Sequence, residues 1–201
     1  MIRAFSQLEL LQAEIGRLEN KSFLDRAIYL LSKTTYVSLS INVQPDLILW
    51  GEALCEDIGS KYDDLEFTLS DLAELLFDDF LSVVRNDEDF EKLYSQLLAR
   101  EPRITCPNTN YKTDAINESE VLSATLKIRL KRKGALRGEM VLCDLAEIFP
   151  AHEYTLESVL RLIMVDFLQD YKDRNGERNR IKKNILGRLE FLRKSVAMGN
   201  Q

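Results

Sequence analysis

The side chains most suited to metal binding or catalysis are few and widely separated. The chain has 201 residues, with one histidine, His152, and three cysteines, Cys55, Cys106 and Cys143. A structural zinc site needs four clustered ligands, and the sequence has no CxxC pair, so zinc binding is not expected. The run NDEDFE (residues 86–91) lacks the glycine and the ligand spacing of a calcium-binding EF-hand loop. Its acids are more simply explained as a solvated helix start.

Motifs that mark the common enzyme classes are missing as well. The glycine-rich nucleotide-binding patterns GxGxxG and GxxxxGK[ST] do not occur, nor does the nucleophile pattern GxSxG. The sequence therefore predicts a protein that is not an enzyme.

Cysteine usage and hydropathy bear on the cellular location. The three cysteines are isolated and odd in number, which fits reduced thiols better than a disulfide framework, and each suits a small apolar core position. The N-terminal segment lacks the apolar core of a signal peptide, and apolar residues nowhere form a run of about 18. We expect a cytoplasmic protein with no membrane partner.

Charge is distributed unevenly along a chain whose net charge is −6. Residues 56–91 contain thirteen acidic side chains and two basic ones, a local balance of −11. Residues 172–194 contain nine basic side chains and three acidic ones, a local balance of +6. The two segments should favour different partners or bind each other.

The N-terminal region has the pattern of an amphipathic helix over residues 4–33. Its apolar side chains fall at coiled-coil-like spacing, with charged and amide residues between them: Leu8, Leu11, Ile15 and Leu18. Fewer than two heptads are too short for a stable coiled coil alone. They could support a homodimer that is also held elsewhere.

Two segments alternate apolar and polar residues as strands do. Residues 36–42 (YVSLSIN) alternate in this way, and Gln44-Pro45-Asp46 predicts a turn into a second strand, DLILW. Residues 121–130 alternate too, within a strand predicted over residues 121–133, and this predicts a sheet with one face in water. We expect further strands at RITCPNTNYKT and LRGEMVLCDLAEI. Helices are expected between DLILW and RITCPNTNYKT, one of them beginning at Thr68 or Ser70, and again after LRGEMVLCDLAEI.

This order of elements resembles a PAS domain. The run YVSLSINVQPDLILWGEALCEDIG resembles the opening of that family, with Asp46 in the turn and Ala53 at a small position. The stretch TLSDLAELLFDDFLSVVRNDEDFEKLYSQLL resembles its middle section, and LRGEMVLCDLAEI, with Gly138 and the acidic-aliphatic run 144–147, resembles its last strand. The resemblance implies an α+β fold, namely a five-stranded antiparallel sheet with short crossing helices in residues 34–149. Helices would flank it in residues 1–33 and 150–201.

The resemblance also implies where a ligand could sit. A small apolar pocket would be lined by Trp50, Phe67, Leu76, Phe80 and Leu126, although a closed core made of the same side chains is the more common arrangement. His152 follows the last predicted strand, so it is not placed to bind haem, and none of the cysteines has the surroundings of a flavin-binding motif. We therefore expect no cofactor.

The functional expectation is a PAS-like regulatory module in signalling or transcriptional control. It would dimerise through its flanking helices and bind a protein partner. The alternative is a nucleic-acid-binding adaptor that uses the basic C-terminal helix. In either case the cations most suited to contact the partner are Arg178, Lys182, Lys183 and Arg188.

Overall fold

The computed structural model describes residues 3–19, 34–61, 66–87, 89–105, 123–174 and 176–199. These residues form seven helices and two strands. In chain order they are α1 (Leu10–Glu19), β1 (Tyr36–Val43), α2 (Pro45–Gly59), α3 (Leu69–Asp87), α4 (Phe90–Thr105), β2 (Ala124–Lys131), α5 (Arg132–Ile148), α6 (Leu156–Asp173) and α7 (Arg178–Gly199). Of the helix predicted over residues 4–33, residues 10–19 are helical, and residues 20–33 lie outside the described ranges.

The two strands pair antiparallel along their whole length. Tyr36 lies opposite Lys131 at one end and Val43 lies opposite Ala124 at the other. Alternate side chains of each strand point into the core: Val37, Leu39, Ile41 and Val43 from β1, and Ile128 and Leu130 from β2. The side chains between them are mostly exposed. Both strands predicted from alternation are confirmed, together with the wet face of the sheet.

The predicted five-stranded antiparallel sheet is wrong, because the sheet in the described residues has two strands. DLILW, predicted as a strand, belongs to α2. Pro45 lies in the first turn of α2, where its missing N–H is not needed, and Asp46 in the same turn suits the helix dipole. Of the predicted strand RITCPNTNYKT, residues 103–105 belong to α4 and residues 106–113 lie outside the described ranges.

The segment LRGEMVLCDLAEI is helical as well, because it lies in α5. The buried residues of α5 recur at helical intervals: Ala135, Gly138, Glu139, Leu142 and Leu145. A glycine and a carboxylate among them conceal the apolar period in the sequence. The helices on the sheet are also not short, since α3 has 19 residues.

Helix α3 begins where the sequence predicts. The Thr68 hydroxyl oxygen accepts a hydrogen bond from the Asp71 N–H, and an Asp71 carboxylate oxygen accepts one from the Thr68 N–H at 2.8 Å. This reciprocal pair satisfies backbone donors that the first turn of a helix leaves open. From there α3 packs along β2, where the Ser70 hydroxyl accepts a hydrogen bond from the Arg129 N–H.

Helix α6 lies at the centre of the molecule. It contacts α2, α3, α4, α5 and β1. Half of its residues are buried, and they point in most directions around the axis rather than along one stripe. Its N-terminus is fixed by Thr155 and Ser158, whose side chains each hydrogen-bond to the backbone N–H of the other. The core therefore forms around α6.

Helices α5 and α3 approach each other closely at Gly138. A Cβ atom at this position would lie 2.7 Å from Phe77 Cζ of α3 and 2.7 Å from Leu156 Cδ1 of α6. Since real Cβ atoms do not pack so tightly, the absence of a side chain sets the distance between α5 and its two neighbours.

Helix α1 is attached to α5 by polar contacts. The buried carboxylate of Glu139 accepts hydrogen bonds from the Ser6 hydroxyl and from the N–H groups of Leu10 and Leu11. Those two N–H groups belong to the first turn of α1, where no carbonyl of the same helix can bind them. A carboxylate from another helix thus caps α1 and fixes its position.

The C-terminal region is two helices rather than one. Helix α6 ends at Asp173 and α7 begins at Arg178. The Arg178 guanidinium donates hydrogen bonds to the carbonyl oxygens of Tyr171 and Lys172 in the last turn of α6. Within the described ranges, no helix combines the length and the hydropathy needed to cross a bilayer.

Candidate functional site

A groove runs along the surface between α3 and α5, and we call it the α3–α5 groove. It consists of two adjoining cavities of about 530 Å³ and 510 Å³. Both cavities are lined by Leu81, Arg85 and Arg137. The first extends from these residues to Gly134 and α7, and the second extends to Asp144. The groove is thus continuous along one face of α5.

Positive charge lines the end of the groove near the start of α5. Lys131, Lys133, Arg137, Arg85 and Arg188 contribute to this end. Lys131 pairs with Glu74, and Arg188 pairs with both carboxylate oxygens of Asp79. The other three cations are exposed and make no ion pair with a described residue. This end of the groove therefore presents exposed basic side chains to the solvent.

The other end of the groove is apolar. Val84, Phe90 and Val141 are half-buried there, and the Met140 side chain is 48% exposed. Phe191 of α7, which is 72% exposed, borders the basic end. Exposed apolar side chains beside exposed cations are a combination that protein-binding surfaces use.

One acidic side chain lies at each end of the groove. Burial, reinforced by the negative charge of Glu74, raises the pKa of Asp78 at the basic end. Burial and the nearby Glu147 raise the pKa of Asp144 at the apolar end. Both shifts have the direction expected for carboxyl groups that are partly removed from water.

The five residues predicted to line a pocket are not brought together. Leu76 and Phe80 of α3 do line a common cavity, of about 620 Å³, between α3, α4 and α6. Trp50, Phe67 and Leu126 are not among the residues that line it. Phe67 is buried just before α3, and Leu126 is half-buried in β2.

The Trp50 ring of α2 packs against side chains from the α6–α7 region. The Arg178 guanidinium lies 4.2 Å from the centre of its ring, and Tyr171 packs edge-on against it at 6.4 Å. The cation–π contact and the two carbonyl hydrogen bonds of Arg178 together hold the α6–α7 turn onto α2.

Most of the cations predicted to contact a partner are used within the chain. Arg178 caps α6, Lys182 pairs with Asp57 of α2 at 2.8 Å, and Arg188 pairs with Asp79 of α3. Lys183 is exposed. The acidic and basic segments identified in the sequence therefore bind each other, which is one of the two outcomes that their charges predicted.

The residues predicted for the dimer seam divide between the core and the surface. Leu8 precedes α1 and packs against the core. Leu11 and Ile15 are half-buried on α1, and Leu18 is 75% exposed. The last three form a partly exposed apolar stripe on α1.

His152 is buried, and both of its ring nitrogens have hydrogen-bond partners. Nε2 lies 3.2 Å from the Leu142 carbonyl oxygen, and Nδ1 accepts a hydrogen bond from the Tyr154 N–H at 3.1 Å. This pairing defines a neutral ring protonated on Nε2. Burial, together with the charge of Arg3, lowers the pKa of His152.

The remaining candidate side chains are isolated. Burial is the main reason that the pKa of the Cys55 thiol is raised to about 12, and burial also raises the pKa of Cys143. Cys106 lies outside the described ranges. Among the residues that the structure describes, no group of three or more His, Cys, Asp or Glu side chains could hold a metal ion.

The sequence shows part of the groove but not its shape. The basic run KIRLKRKGALR (residues 127–137) contains Lys131, Lys133 and Arg137. Arg85 and Met140 were missed, because no pattern in the sequence indicates that α3 and α5 lie side by side.

Comparisons of the chain with protein-family models, with curated proteins and with solved structures found no match. They neither support nor refute the resemblance to a PAS domain.

Proposed function

We propose that the chain is a non-enzymatic regulatory module that binds a protein partner in the α3–α5 groove. The observation that supports this proposal is an apolar strip beside exposed cations that make no ion pair with a described residue, along one continuous groove. The free thiols of Cys55 and Cys143 favour a site of action inside the cell.

The composition of the groove suits a protein ligand. Arginine and methionine are enriched in the contact surfaces of proteins, and the groove offers Arg85, Arg137 and Met140 side by side. Burying the exposed part of Met140 would gain hydrophobic free energy, and its flexible thioether can adapt to the partner's shape.

The alternative, a nucleic-acid-binding adaptor that uses the C-terminal helix, has less support. A cation contributes to phosphate binding by releasing counterions, and it can do so fully only if it is not already neutralised. Because Lys182 and Arg188 are already paired with aspartates, binding of nucleic acid by α7 would require those ion pairs to break.

Homodimerisation through α1 remains part of the proposal. The stripe of Leu11, Ile15 and Leu18 would be covered by a second copy. Leu18→Glu changes its most exposed member and should leave the fold intact. If the proposal is right, light scattering shows a dimer for the unchanged protein and a monomer for the variant; a dimer in both excludes the α1 stripe.

The protein-binding function can be tested by site-specific crosslinking in the native host. A photo-crosslinking amino acid replaces Met140 in one variant and Leu49 in another. Both side chains are well exposed, at 48% and 65%, but Leu49 lies on α2 outside the groove. We expect a discrete adduct of defined mass at position 140 only, and its loss when Arg137→Glu is added. Equal adducts at both positions, or none at position 140, would refute the proposal.

A further inference from the structure

Given the proposed function, we infer that the partner places an acidic amphipathic helix in the α3–α5 groove. The length of the groove and the separation of its charged and apolar surfaces point to such a ligand.

The groove is long enough to hold about three turns of a helix. The residues of α5 that line it include Gly134, Arg137, Val141 and Asp144, which recur at helical intervals along one face. From Gly134 to Asp144 the helix rises about 15 Å, which matches about three turns of a bound helix. Gly134 and Gly187 have no side chain, and a Cβ atom at either would meet no atom within 4 Å, so the floor at that end is open.

The charge of the groove requires acidic groups on the ligand. Arg85, Lys133 and Arg137 converge there without an ion pair to a described residue, although the whole chain has a net charge of −6. A cationic ligand would be drawn to the acidic surfaces elsewhere and repelled here. Carboxylates spaced one turn apart on a helix would reach Arg85 and Arg137 from the same side.

The apolar strip distinguishes a helix from a polyanion. Val84, Met140 and Val141 lie directly beside the cations, and Met140 is half exposed. A nucleic acid would neutralise the cations and leave this strip in water, whereas leucines at i, i+4 and i+7 of a bound helix would cover it. Burial of the strip therefore favours the amphipathic helix.

Methionine methyl groups provide a direct readout of binding. The chain has four methionines, of which Met140 lies in the groove and Met164 is fully buried in α6. The protein would be labelled with ¹³C at the methionine methyl groups. It would be titrated with a capped peptide of about 14 residues, with leucines on one face and glutamates beside them. Met140 should shift in a saturable way and Met164 should not move.

Control peptides and variants locate the contacts. Replacing the peptide's glutamates with glutamine, or its leucines with alanine, should each weaken binding, because both surfaces of the groove are used. Arg137→Glu should raise Kd about tenfold, since it replaces an attraction with a repulsion. Lys61→Glu, which makes the same charge change at an exposed residue after α2, should leave Kd within about twofold.

The possible failures separate this inference from the proposed function. If the acidic peptide leaves Met140 unmoved while the crosslink at position 140 still depends on Arg137, the helical ligand is wrong and the protein-binding function stands. If a polydeoxythymidine oligonucleotide shifts Met140 and the peptide does not, the groove binds nucleic acid, and both proposals fail. Equal binding of the peptide to the Arg137→Glu variant would also overturn the inference, because the groove would not be its site.

Discussion

Replacing Glu139 tests whether one buried carboxylate anchors the N-terminal helix. Glu139 is 1% exposed, and it accepts hydrogen bonds from Leu10 N–H at 3.2 Å and Leu11 N–H at 2.6 Å, as well as from the Ser6 hydroxyl. Glu139→Ala removes all three acceptor contacts and leaves a cavity beside the first turn of α1. Glu139→Gln keeps one acceptor oxygen and the side-chain volume but removes the charge.

The expected loss can be worked from these contacts. Leaving a buried donor without a partner costs about 1–3 kcal/mol, so two N–H groups at the start of α1 give a loss of about 2–6 kcal/mol for Glu139→Ala. The upper part of that range is reduced because the variant no longer buries a carboxylate. We expect about 1–2 kcal/mol for Glu139→Gln, since one donor keeps its acceptor.

Urea unfolding followed by circular dichroism measures both losses. Glu147→Ala is the matched control, because Glu147 is an exposed glutamate of the same helix, and it should change the free energy of unfolding by less than about 0.5 kcal/mol. Amide hydrogen exchange should quicken in residues 10–19 of Glu139→Ala more than in α6. A Glu139→Ala variant as stable as the control, with unchanged exchange in α1, would refute this account of the anchor.

Three further predictions follow from single positions. Because the folded state lowers the pKa of His152, the contribution of this residue to the free energy of unfolding should be complete above about pH 6.5 and should fall as the pH drops below it. His152 is the sole histidine, so its NMR titration in tag-free protein should give a midpoint below the ordinary pKa of histidine. Gly138→Ala should destabilise the fold by about 1–3 kcal/mol in urea unfolding despite its better helix propensity, whereas Gly187→Ala, with open space around it, should stabilise by about 0.5–1 kcal/mol. The Cys55 thiol should be alkylated only as fast as the protein unfolds, and rapid labelling in site-resolved mass spectrometry would contradict its burial.

Local patterns predicted the elements that depend on local chemistry. Both strands were found because every second residue of β1 and β2 meets the core, and the start of α3 was found because Thr68 is a favourable cap. Too many strands were predicted, because tertiary packing rather than local pattern determines the structure of segments such as α5. The buried face of α5 includes Gly138, which allows the close approach to α3, and Glu139, which caps α1. Because these two residues are not apolar side chains, the apolar residues alone do not show a helical period.

The candidate site was predictable only in part for a related reason. The basic run at the start of α5 is visible in the sequence, but Arg85 joins it from another helix about 50 residues earlier in the chain. The C-terminal cations were the obvious candidates by composition. The sequence does not show their pairing with Asp57 and Asp79, because that pairing depends on α7 lying beside α2 and α3.

The pairing of β1 with β2 has a consequence for biosynthesis. Val43 and Ala124 are partners although about 80 residues separate them, so closing the sheet costs roughly 2–3 kcal/mol more in chain entropy than closing a tight hairpin. At a translation rate of about 5–20 residues per second, β1 leaves the ribosome roughly 4–16 seconds before its partner. During that interval the backbone N–H and C=O groups of β1 that pair with β2 have no partner strand, and α6, which packs against β1, emerges later still. The nascent chain is then most exposed to aggregation, and a chaperone would have most effect.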